Sequence, residues 1–137
     1  MARANFTLPT DFMDALSKLE KRTDEIVPKV LQAGGEVVLE HVRVRLKAVL
    51  SGTSTGELAR ALGISPARLD RRGNYDVKVG FAESRSDGKS NAMLANVLEH
   101  GTSTQPARPF LRPARRKAKQ PAIDAMTAAL EKELQNL

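Results

Sequence analysis

Residues 23–50, TDEIVPKVLQAGGEVVLEHVRVRLKAVL, carry two apolar stripes at helical spacing. Val27, Leu31, Val38, Val42, Leu46 and Val49 form one stripe, and Val30, Val37 and Val44 form a second, offset from it. A helix that is apolar on two sides is buried on two sides. One side is expected to face a sheet, the other a helix or a neighbouring subunit. The valines would suit a strand, but the length argues for helix. Thr23 or Asp24 is the expected cap, and Pro28 falls in the first turn or so, where a missing N–H costs least. The pair Gly34-Gly35 sits mid-helix at a cost of roughly 1 kcal/mol per Gly against Ala. Close backbone packing or a bend is the expected reason.

The other elements arrange themselves around that helix. The chain's 137 residues suit one domain, and 41% apolar content gives a modest core. Residues 1–9 read as a flexible N-terminal arm. From Thr10, a capping residue, Phe12, Leu16 and Leu19 share a helical face. SGTST at 51–55 is a loop, and Thr55 caps a short helix through Leu62 that Gly63 stops. RRGN at 71–74 is turn chemistry. YDVKVGF at 75–81 alternates, with Tyr75, Val77, Val79 and Phe81 on one side and Asp76 and Lys78 on the other, which predicts a half-buried strand. Residues 82–90 form a polar loop expected to be mobile. Ser90 or Asn91 caps a helix carrying Met93, Leu94, Val97 and Leu98, which Gly101 ends. Ile123, Met126, Leu130, Leu134 and Leu137 recur at helical spacing, and Pro121 either starts that helix or kinks one begun at Pro113. The expected class is α+β: long N-terminal helices and a C-terminal helix packed on a small antiparallel sheet.

Several functions are left without residues to perform them. There is no cysteine, so neither a disulfide framework nor a thiolate metal site exists. No run of about 18 apolar residues or signal-type apolar segment occurs, so a soluble product with no membrane contact is expected. His41 and His100 lack a ligand partner four residues away. Glu99-His100 with Ser103 and Thr104 lacks the strained turn of a nucleophile. No phosphate loop or dinucleotide fingerprint appears. No catalysis, metal or cofactor is expected.

The net charge is +6, which favours polyanions without implying sequence reading. Between Glu99 and Asp124 there is no acid, while Arg108, Arg112, Arg115, Arg116, Lys117 and Lys119 crowd one segment. That segment reads either as a solvated helix face or as a contact for nucleic acid or an acidic partner. A separate stretch, TGELARALGISPARLDRRG, resembles a helix-turn-helix running from Thr55 to Arg72, with Gly63 in the turn and Ser65, Arg68, Arg71 and Arg72 facing DNA. A DNA-binding regulator is therefore the alternative. Its context is unfavourable, because a turn and a strand follow where a third helix is needed.

NVLEHGTSTQPARPFLRPA at 96–114 is more specific. An apolar helix leads into Glu99, Gly101 and Thr102, then a polar loop, then Pro109, Phe110, Leu111, Pro113 and Ala114. This pattern resembles the tail-component family of tailed bacteriophages, the small head–tail joining or tail-completion proteins of long-tailed phages. Upstream, Thr55-Gly56-Glu57-Leu58 and Val77-Lys78-Val79-Gly80 occur in the order and rough spacing of that family, so the resemblance covers about residues 10–137. GISPARLDRR departs from it in length and charge, which leaves the hairpin partner of 75–81 open. The resemblance implies a virion structural protein at the head–tail junction, present in host cytoplasm during assembly. Its partners would be copies of itself in a ring of six, other neck and tail proteins, and DNA in the channel contacted without sequence preference.

The motif has physical content of its own. Gly101 can take the positive φ that stops a helix. Glu99 lies one residue inside that end, where the helix dipole disfavours an anion. It therefore needs a compensating partner: loop amides, Thr102, or an arginine such as Arg108. Phe110 is the expected core anchor. Pro109 and Pro113 stiffen the entry into the last helix.

Overall fold

The computed structural model describes residues 10–50, 56–83 and 90–136. Along the chain run α1 (Thr10–Lys21), α2 (Thr23–Val49), α3 (Glu57–Ala61), β1 (Leu62–Ile64), β2 (Arg68–Leu69), β3 (Tyr75–Asp76), β4 (Val79–Phe81), α4 (Asn91–His100) and α5 (Leu111–Gln135). The class is α+β, as expected. The N-terminal arm, the 51–55 loop with the Thr55 cap, residues 84–89 of the polar loop, the side chain of Phe12 and residue 137 lie outside the described residues.

The frame is an antiparallel pair, α2 against α5. At one end Arg22 donates to the Asn136 carbonyl at 3.2 Å and approaches Glu133 at 3.6 Å. At the other, Val42 and Leu46 share a core with Ala114. The buried face of α5 is alanine: Ala114, Ala118 and Ala122 at a spacing of four. Small residues let the two helices approach closely. The predicted stripe of Ile123, Leu130 and Leu134 is instead substantially exposed. The helical spacing holds, with these side chains on a face next to the buried alanines. Pro121 sits inside one continuous helix. On α2, Val42 and Leu46 of the first stripe are buried, whereas Val44 of the second is 60% exposed.

Gly34 and Gly35 serve close packing. A Cβ on Gly34 would lie 2.7 Å from Met126 Cγ and Sδ. One on Gly35 would press on Ile64 Cδ1 and lie 2.9 Å from Val77 Cγ1. One glycine admits α5 and the other admits the strands. The start of α2 differs from expectation. Arg22 is the N-cap, and no side chain caps the helix. The Thr23 hydroxyl donates back to the Leu19 carbonyl at 2.9 Å, and Asp24 accepts the Tyr75 hydroxyl at 2.7 Å.

The 62–81 segment corrects three expectations. α3 ends at Ala61, and Gly63 lies within strand β1, paired with Gly80, rather than stopping a helix. Residues 62–64 and 68–69 are strands, so the second helix of a helix-turn-helix does not form, and the regulator alternative fails on its geometry. Moreover, 75–81 is two short strands. β4 pairs antiparallel with β1 and β3 with β2. The open hairpin partner is thus GISPARLDRR itself. Between the two pairings, residues 65–67 stand opposite 77–78, one residue too many for a continuous ladder. Ser65 accommodates the irregularity: its amide donates to the Lys78 carbonyl at 2.8 Å, and its hydroxyl accepts the Lys78 amide at 2.9 Å. Pro66, which has no amide to offer, falls in this bulge.

Candidate functional site

The segment from α4 to α5 is organised by one carboxylate. Ser90 caps α4, its hydroxyl accepting the Met93 amide at 3.2 Å. Gly101 ends the helix with φ 75° and ψ −179°, a region essentially restricted to glycine. In the last turn, buried Glu99 turns towards the start of α5. Its Oε2 accepts the amides of Phe110 and Leu111, both at 2.8 Å, and its Oε1 accepts that of Arg112 at 3.0 Å.

The first turn of α5 is thereby fully accounted for. A helix leaves its first N–H groups without intrahelical partners. Here Leu111 and Arg112 give theirs to Glu99. Pro113 has none, and Ala114 closes the first helical bond on the Phe110 carbonyl at 3.1 Å. The anion that is unfavourable at the end of α4 becomes favourable at the start of α5. Burial pushes the Glu99 carboxyl up, but the three amides and nearby His100 outweigh it, and the group titrates below its ordinary range.

The compensating partner is therefore a set of backbone amides, at the helix start rather than in the loop. Thr102 and Arg108 do other work. The Thr102 hydroxyl accepts the amides of Thr104 and Gln105 within the loop. Arg108 donates its own amide to Leu98 at 2.6 Å and its guanidinium to the Val49 carbonyl at 3.4 Å. Phe110 is fully buried, edge-on to Phe81 at 6.1 Å, while Pro109 is exposed on the approach.

A second carboxylate repeats the device and was missed from sequence. Glu83 accepts the Asn91 amide at 3.1 Å, the Ala92 amide at 3.0 Å and the Ser90 hydroxyl at 3.1 Å. Buried Asn91 adds a bond from its side-chain amide to the Ala82 carbonyl. The ends of the 82–90 loop are thus fastened. A Glu eight residues before a helix start has no periodic signature, so sequence pattern does not reveal it.

The basic segment divides into three. Arg112, Arg115, Arg116 and Lys119 line one groove along α5, over Val38, Ala122, Ile123 and Met126. Lys117 lies on the opposite side of the α2–α5 pair, with Val44 and Arg45. Arg108 points to the C-terminal end of α2. Among the described residues, none of these six joins an ion pair. No metal-holding cluster occurs among those residues, and none of their helices is long and apolar enough to cross a membrane. His41 is engaged with the Val37 carbonyl at 2.9 Å.

The protein-family model described as "Bacteriophage HK97-gp10, putative tail-component" matches residues 10–101. The chain belongs to that family. No curated protein and no solved structure shows a significant match. The match takes in the long helix, the hairpin and α4, and it ends at Gly101. In this tail component Glu99 and Gly101 therefore lie inside the matched region, while Pro109, Phe110 and Pro113 lie beyond it.

Proposed function

We propose that this phage tail component acts at the head–tail junction, as a ring of identical copies that completes the tail or joins it to the filled head. It works as a single unit, by self-association and docking rather than catalysis. Its partners are its own copies and other neck and tail proteins, and its place is the virion, after assembly in the host cytoplasm. The observation that carries this reading is a set of apolar side chains that the fold leaves uncovered. Met13 and Leu16 on α1 are 52% and 44% exposed, and Leu130 and Leu134 on α5 are 39% and 41% exposed. These patches lie on different helices. Contacts between unlike patches are head-to-tail, and such contacts close into rings when the rotation allows. A neighbouring copy that covered these side chains would remove their apolar surface from water.

The test is a phage carrying a deletion of this gene, examined by electron microscopy, with antibody labelling of the intact particle. The proposal expects filled heads and tails that fail to join, and label at the neck. Normal joining, or label along the tube or at the distal tip, would refute it.

A further inference from the structure

We propose that the groove between α2 and the N-terminal half of α5 is a docking site for an acidic amphipathic helix of a partner protein. The assignment does not depend on ring formation. The groove holds about 620 Å³, and four cations, Arg112, Arg115, Arg116 and Lys119, line it. Spacings of three and four put them on one helical face. A second hollow of about 430 Å³ shares Val38, Arg112 and Arg115, so the depression continues to Leu111 at the start of α5.

Two features choose the occupant. The first is the floor. Val38, Ala122, Ile123 and Met126 lie among the cations, and Leu111 and Ile123 are 36% and 40% exposed. A phosphate backbone has no use for an apolar floor, whereas the apolar face of an amphipathic helix does. Two of the six basic residues, Lys117 and Arg108, point away from the groove, so the row of cations is four residues long. The second feature is charge. The chain carries +6, so a second copy brings like charge to a cationic groove, while an acidic partner is attracted and steered into it. From Arg112 to Met126, α5 rises about 21 Å, which corresponds to an occupant of roughly 14 residues in about four turns.

The experiment uses the full chain and a fluorescent synthetic peptide of about 14 residues. Leu recurs in it at helical spacings of three and four, and Glu fills the flanking positions. A scrambled peptide of the same composition and a duplex DNA are the comparisons, at fixed salt. The proposal expects the patterned peptide to bind about tenfold more tightly than the scrambled one. Arg116→Glu and Ile123→Asp should each weaken it by a similar factor, while Lys117→Glu, an equal change of charge across the helix, should have little effect. Equal binding of both peptides would overturn it. So would displacement by DNA that is indifferent to Ile123→Asp. So would self-association of the chain that Arg116→Glu abolishes without any patterned-peptide binding.

Discussion

The Glu99 carboxylate, in the last turn of α4, accepts the Phe110 amide at 2.8 Å, joining the end of one helix to the start of the next. Two further amides complete the cap. Glu99→Ala leaves the Phe110, Leu111 and Arg112 amides without their acceptor. The expected loss is about 2–4 kcal/mol, on the scale of hydrogen bonds to a charged group together with a lost cap. Urea unfolding checks this, with the midpoint falling and the slope unchanged.

Gly101 makes that geometry possible. A Cβ there would lie 2.6 Å from the Ala107 amide nitrogen and 2.8 Å from the Gln105 carbonyl oxygen, at φ 75°. Both neighbours are backbone and cannot swing aside. Gly101→Ala is expected to cost about 3 kcal/mol from the backbone region alone, with the steric conflict added. Thermal unfolding at neutral pH measures it.

The two glycines of α2 should behave differently despite being adjacent. Gly34 faces Met126, a long, adaptable side chain. Gly35 faces Ile64 and Val77, which are stiff at χ1. Gly34→Ala is expected to be within about 1 kcal/mol of neutral, because the gain in helix propensity offsets the shift of Met126. Gly35→Ala is expected to destabilise by about 1–3 kcal/mol through overpacking. Parallel denaturant titrations of the two variants decide this.

Phe110 anchors the junction from below, fully buried and edge-on to Phe81. Phe110→Ala is expected to cost about 3–5 kcal/mol. Phe110→Leu should cost less, since it keeps most of the volume and loses the ring contact. Calorimetry on both separates volume from aromatic geometry.

The long elements were legible because periodicity reports them directly. The length of α2, the burial of its first stripe and the helix ended by Gly101 follow from spacing and from the special conformation of glycine, and Phe110 stands out as one of few large aromatics; the second stripe was expected to be buried, and its Val44 is exposed. What sequence could not give is direction. Glu99 was visibly misplaced at a helix end, but its partner lay eleven residues on, at a distance no local pattern encodes. The strand at 75–81 was visible, whereas its partner, 62–69, resembled a helical pair because Ala-Leu-Gly and Pro-Ala-Arg suit helix caps as well as a bulged hairpin. On α5 the helix-spaced Ile123, Leu130 and Leu134 are exposed, and the face turned inward is Ala114, Ala118 and Ala122, whose small size lets the helices approach and leaves no strong hydropathy signal.

The ionised Glu99 carboxylate holds α4 and α5 together. Its pKa is lowered in the folded chain, so its contribution is fully present above the ordinary glutamate value of 4.5 and is lost as pH falls through the lower folded value. The direct measurement is the difference in Tm between the wild type and Glu99→Gln across a pH series from neutral to strongly acidic. A wide gap is expected at neutral pH, narrowing steadily below 4.5. A gap that is absent at neutral pH, or that stays constant into acid, would contradict it.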